Sequence, residues 1–297
     1  VKKIVETLPK VLDLAAAGDM DLAYASDLVT DSMAALNMET SQLDNYIDEM
    51  TKTAQKSNTS VSQLGEATLV CAGAVSMAEM SLETMNGELG VLANNGIKGA
   101  EGGTHLRNVI LSLAAPTDVA SNTIESLGLQ VADSSGNMRD LNDILIDLNS
   151  ALDGMSSTEK TQTINKIFNK TDIAAVNALL NGTGDEFNNL YKEISNCKGA
   201  AGEMANTMNN NLKGDVTILK SALEGLGIAA EQIFDKDMRV AVQRATDAVD
   251  SLQRSVTKGE LNTSLNKLSK SMADFCEEAM DLGENALPVA IDGLTWI

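Results

Sequence analysis

Apolar residues recur along this chain at spacings of three and four, the repeat that lines up side chains on one face of an α-helix. Residues 21–36 carry Leu22, Ala25, Leu28, Val29, Met33 and Leu36 in that rhythm, which predicts one helix with a single buried stripe. Before it, Val11, Leu14 and Ala15 share a face that ends at Gly18 and Asp19. After it, a third helix from Ser41 sets Leu43, Ile47 and Met50 one turn apart. Asn58, Thr59 and Ser60 supply acceptors for the free amides of a helix start, and Leu64, Ala67, Cys71 and Val75 continue the stripe behind them. The helix opened by Ser81 runs through Leu82, Met85, Leu89 and Leu92 and stops at Asn94-Asn95-Gly96, where a left-handed C-cap costs little.

Residues 96–103, GIKGAEGG, are glycine-dense and read as a loop into a helix from about Thr104, whose Leu106, Val109, Ile110 and Leu113 form a stripe ending before Pro116. A short helix to Leu127 follows, with Gly128 as its cap. Over 129–138 the period changes: Leu129 and Val131 alternate with polar residues, and Asp133-Ser134-Ser135-Gly136-Asn137 is turn chemistry. A small β-hairpin or extended excursion is therefore predicted there, the one β candidate. Residues 139–152 return to helix, and Ser156 with Glu159 forms a capping box before Ile164, Ile167 and Phe168. Val176, Leu179 and Leu180 mark a further helix, and Phe187, Leu190, Tyr191 and Ile194 another, ahead of a small-residue link at 198–202.

Past that link the stripes lengthen. Leu212, Val216, Leu219, Leu223, Leu226, Ala230 and Ile233 alternate spacings of four and three, as do Leu261, Leu265, Leu268, Met272, Phe275, Ala279 and Leu282. Ala245, Val249, Leu252 and Val256 keep the rhythm in a shifted frame. Two arrangements satisfy this pattern: amphipathic helices folding back on a globular core, or a self-associating coiled coil. The expected architecture is all-α: a globular multi-helix domain over 1–200, then longer amphipathic, coiled-coil-like helices over 203–297.

Composition sharpens the picture. Only eight aromatics and three prolines, at 9, 116 and 288, occur in 297 residues, too few for the β-rich alternatives. A net charge of −20 opposes sequence-independent contact with nucleic acid or an anionic membrane surface. Cys71, Cys197 and Cys276 are odd in number and widely spaced, which suits a reducing compartment better than a disulfide framework or a zinc site. The early acids and Pro9 interrupt any signal-like apolar run, and the longest uncharged stretches, 67–78 and 173–184, fall short of the roughly 18 residues that span a bilayer.

Catalytic chemistry finds little purchase. His105 is the sole histidine, so any His-dependent mechanism must route through it, and it reads as a residue near a helix N-terminus. With 42 acidic residues, choosing two as a general acid and base would be arbitrary. The GIKGAEGG stretch with Lys98 and Arg107 is the best anion-cradle candidate, yet it lacks the Gly-Lys-Ser/Thr ending of a nucleotide loop and follows a helix; a tight helix connection serves equally. Fourteen methionines could line an adaptable groove, but Met33, Met85 and Met272 fall on core stripes. No catalytic, cofactor-binding or metal-ligating residue is therefore assigned, and the chain is expected not to be an enzyme.

Residues 94–117, NNGIKGAEGGTHLRNVILSLAAPT, resemble the signature stretch of bacteriophage tail tape measure proteins of the TP901-type core. Four flanking segments agree in order: LPKVLDLAAAGDMDLAYASDLVTDSM at 8–33, SNTSVSQLGEA at 57–67, DSSGNMRDLNDIL at 133–145 and NLKGDVTILKSALEGLGIA at 211–229. Asn169 stands where that family usually has glycine, and the resemblance fades after Ile233. Because such proteins are usually longer, the chain is expected to be a fragment. The resemblance implies a structural protein of the virion tail that helps template tube length and docks at the tail tip. Its implied partners are tail tube, tail-tip or distal tail proteins and tail assembly chaperones, with homo-oligomer formation through the heptads. It implies a place in the tube lumen, and in host cytoplasm during assembly. The alternative is a helical segment that rearranges into a membrane conduit for DNA ejection; acidity and the lack of a spanning segment count against it.

Overall fold

The computed structural model describes residues 2–209 together with 240, 243–249, 251, 270 and 271. Contacts divide the chain into two units, Val1–Asn206 and Thr207–Ile297. The long heptads lie mostly outside the described residues; in the second unit, a helical piece over 243–249 buries Ala245, Ala248 and Val249.

Residues 2–209 carry twelve α-helices: α1 (Lys2–Ala17), α2 (Leu22–Ala35), α3 (Leu43–Lys56), α4 (Val61–Met77), α5 (Leu82–Asn94), α6 (Gly99–Ala114), α7 (Asp118–Ser126), α8 (Leu141–Ala151), α9 (Ser157–Ile167), α10 (Ile173–Gly182), α11 (Asp185–Ile194) and α12 (Ala200–Asn209). Single 3-10 turns, Thr40–Gln42 and Lys170–Asp172, lead into α3 and α10. The excursion over 129–138 is a turn closed by one antiparallel bridge, Ala132 with Met138, held by the Asp133 carboxylate accepting the Ser135 and Asn137 amides. The capping box is present: Ser156 Oγ accepts from the Glu159 amide, and the Glu159 carboxylate accepts from the Ser156 amide at 2.9 Å. That pairing holds the Glu159 carboxyl below its ordinary range.

The first six helices form two matching triplets. In each triplet the first helix ends on a left-handed residue, Asp19 or Glu79, followed by Met20 or Met80, whose amide donates back to the carbonyl five residues earlier at 2.9 or 3.1 Å. A capping residue then starts the second helix, Asp21 or Ser81. The second helix ends in the same motif at Asn37-Met38 and Gly96-Ile97. Buried positions correspond at a separation of sixty: Ala25 with Met85, Val29 with Leu89, Tyr46 with Leu106 and Met50 with Ile110. Packing follows the same rule, since α1 lies on α3, α2 on α4, α3 on α5 and α4 on α6. Each triplet is thus a supersecondary unit that cannot bury its apolar face alone and does so against its neighbour.

The later helices close the core. Gly87 and Gly90 on α5 leave room for Phe187 and Leu190 of α11, so the face of α5 that would otherwise meet water is covered. The Asp48 carboxylate on α3 accepts the Gly199 amide at 2.7 Å and the Ala201 amide at 2.9 Å, fixing the start of α12. Asp48→Ala is expected to cost about 1 kcal/mol, the usual worth of a helix cap. The check is amide exchange over Ala200–Asn209, which should quicken while α4 and α6 keep their protection.

Candidate functional site

The segment that carries the family resemblance spans the end of α5, a turn and all of α6. Gly96 adopts φ +87°, and the Ile97 amide donates to the Leu92 carbonyl at 3.0 Å, so the chain reverses in two residues. Asn94 secures the reversal from both sides: its Oδ1 accepts the Asn58 amide at 2.9 Å, and its Nδ2 donates to Glu186 at 2.8 Å. The helix then starts at Gly99, five residues earlier than the glycine content predicts.

That early start has a packing cause. Both α4 and α6 run in the same direction, with Gly99 beside the Glu66 side chain, Gly103 against the Ala67 backbone, and Arg107 acting on the Cys71 thiol. A Cβ on Gly103 would lie inside van der Waals distance of the Ala67 carbonyl oxygen. The seam is the most extensive helix contact in the first unit, and small residues four apart are what let two backbones approach so closely. Leu106, Val109, Ile110 and Leu113 complete the buried face of α6. The glycine-dense stretch is therefore helix contact surface, and the anion cradle is not formed: Glu66 lies beside Gly99, and Glu101 occupies the first helical turn.

His105 sits one turn into α6, half-buried. Its Nδ1 approaches Asp172 Oδ1 at 2.6 Å, and a ring nitrogen facing a carboxylate at that distance carries the proton and donates it. Asn108 Nδ2 donates to the same carboxylate at 3.0 and 3.3 Å. Asp172 is 1% exposed and stands at the N-cap position of α10 without a side-chain cap bond, so its carboxylate is satisfied by these two side chains of α6. A base held by a carboxylate is half of a hydrolytic constellation. Among the described residues the neighbouring Thr104 hydroxyl is engaged, donating to the Ala100 carbonyl, and burial pushes the Cys71 thiol up to about 12 and the Cys197 thiol up to about 11. Cys276 and Met272 lie outside the described residues. Among the described residues no group of three or more His, Cys, Asp or Glu side chains could hold a metal ion. Sequence reading singled out His105 but not its partners, because Asp172 lies 67 positions away and carries no local signal.

What this arrangement does is hold helices at fixed spacing. Compared with known families, residues 1–169 match the description of phage-related minor tail proteins. The chain belongs to that family. It is a structural tail protein, and the family's matched region ends just after α9. Three relatives carry tape measure names. The tape measure protein of Pneumococcus phage Dp-1 is 28% identical over 84% of this chain and 22% of its own length. The probable tape measure protein of Escherichia phage P2 is 24% identical over 88% of the chain and 32% of its own length. That of Clostridium phage phiCD119 is 22% identical over 99% of the chain and 31% of its own length. The chain thus spans between a fifth and a third of these relatives. No solved structure matches it.

Proposed function

We propose that this minor tail protein is the compact module of a tape measure protein, docking at the tail tip while distance is set elsewhere in the full-length molecule. The observation that carries this reading is the folding back of the first unit into short helices. An α-helix rises about 1.5 Å per residue, so 297 residues in one continuous helix would reach roughly 450 Å. Among the described residues the longest helix, α4, has 17 residues and spans roughly 25 Å before the chain reverses. A unit built this way adds residues without adding length, which suits attachment and leaves measurement to extended segments.

Tail-tip or distal tail proteins are the proposed docking partners of the first unit, and tail tube subunits and assembly chaperones those of the whole protein. The heptads after 203 supply self-association. The working place is the tube lumen, reached from host cytoplasm during assembly. The conduit alternative draws no support from the fold: among the described residues no helix is long and apolar enough to cross a membrane.

Two deletions in the parent phage separate docking from measuring. Removing an extended segment outside this module should shorten tails in proportion to the residues lost, as seen by electron microscopy of negatively stained particles. Removing residues 1–206 should abolish tail assembly. Normal tails after the second deletion would sink the docking assignment.

A further inference from the structure

Two carboxylic acids lie in the middle of the first unit without a cation. Glu49 on α3 and Glu88 on α5 are each 1% exposed, and among the described residues neither forms an ion pair. The matching triplets show what those positions are. Sixty residues on from Glu49 stands Val109, and sixty before Glu88 stands Leu28, both buried aliphatic residues of the core. Each triplet therefore has one acid where its counterpart has hydrocarbon.

The surroundings of both acids disfavour charge. On its own helix Glu49 meets Asn45, whose Nδ2 donates to it, and the neighbouring Asp48. From α5 it meets Asn86, with Nδ2 at 3.3 Å, and Glu83. The Cys197 thiol and the Tyr46 hydroxyl feel the same carboxyl. Asp13 of α1 is coupled to Asp48 and Asp44, adding further negative groups on that side. Of the cations of α3, Lys56 pairs with Glu193 on α11 with Nζ 3.0 Å from it, and Lys52, without an ion pair among the described residues, acts on Glu193 and on the Cys197 thiol. Glu88 feels the carboxylate of Asp140, which starts α8 and accepts the Thr84 hydroxyl at 2.8 Å. The adjoining positions of α5 meet Phe187 and Leu190 of α11 and Gly182 of α10. Facing α6, His105 is committed to Asp172 and Arg107 lies toward α4. Glu88 Oε1 has no hydrogen-bond partner, and neither has Asn142 Oδ1 on the first turn of α8. An ionised carboxylate in such a place is costly, whereas a neutral acid keeps a donor and fits.

We propose that Glu49 and Glu88 form a proton lock in the α3–α5–α8 layer: the first unit is closed with both carboxyls neutral, and their ionisation opens α5 from α3 and α8. Burial supports the closed, neutral form, holding the Glu49 carboxyl up at about 8 and raising Glu88 well above the usual carboxylate range. A carboxyl raised in the folded state binds more protons there than in the opened state, so its contribution is complete below pH 4.5 and is lost as pH rises toward 8. The opening constant should rise up to about tenfold per pH unit while Glu49 alone titrates over that window, and up to about a hundredfold where both acids titrate together.

Infrared spectroscopy of the 297-residue chain reads the protons directly. A buried, protonated carboxyl band is expected at pH 6.5, fading through about pH 8, weaker in Glu49→Gln and absent in Glu49→Gln/Glu88→Gln. Amide exchange between pH 5 and 8.5, corrected for the intrinsic base-catalysed rate, should show the opening of α3 and α5 accelerating with pH in the native chain and staying flat in the double variant. Glutamine keeps the size of the neutral acid, so both variants should fold. No protonated carboxyl at pH 6.5, or a double variant with the native pH slope, would overturn the lock.

Discussion

Gly103→Leu should unfold the first unit or lower its melting midpoint by at least about 6 °C, since a loss above roughly 3 kcal/mol shifts a domain of this size by about 6–12 °C. Even the single carbon of alanine meets the Ala67 carbonyl, a backbone atom that cannot turn aside, so α4 and α6 must separate along their whole seam. Gly103→Ala is therefore expected to cost about 1–3 kcal/mol, the usual penalty of overpacking. Gly73 provides the control. It lies on the exposed face of α4 with nothing within 4 Å of an added Cβ, so Gly73→Ala should be neutral or stabilising by up to about 1 kcal/mol through helix propensity alone. Thermal melts of the three variants decide it. Equal midpoints for the alanine substitutions at 73 and 103 would mean that the seam does not carry the fold.

The second large effect concerns Asp172. Its removal in Asp172→Ala leaves His105 Nδ1–H and both Asn108 bonds without their acceptor, and the expected cost is about 2–3 kcal/mol. His105→Ala should cost less, because Asp172 keeps Asn108. The two changes made together should fall short of their sum by more than about 1 kcal/mol, as coupled partners do. Strict additivity in denaturant unfolding would show that the contact holds nothing. Cleavage of an ester or peptide by the native chain that is lost in His105→Ala would instead assign the pair a catalytic role.

These two sites differ in how far they could be read in advance. The stripe of α6, its Gly96 reversal and its stop before Pro116 were all legible, because each depends on residues within a turn or two. The glycines at 99, 102 and 103 misled on the helix start: glycine is a poor helix former in isolation, and propensity has no knowledge of a neighbouring backbone. The excursion over 129–138 has turn chemistry, but among the described residues there is no strand for it to pair with, so one bridge is what it makes. Glu49 and Glu88 looked like two more solvated acids among 42, since helical spacing alone does not say which faces of α3 and α5 a third or fourth helix will cover.

From its sequence alone, then, this protein determines that it is helical, where most helices start and stop, and that its signature segment belongs with phage tails. The first two properties are local or compositional, since caps, left-handed turn residues and apolar periodicity act between neighbours in the chain; the link to phage tails rests on resemblance to that family. Tertiary structure decided which small residues become a helix seam, which carboxylate His105 gains, and which acids lose their water. The physical reason is distance. Asp172 meets His105 from 67 positions away and Asp48 meets Gly199 from 151, and only the folded stack brings such groups within a few ångströms of one another.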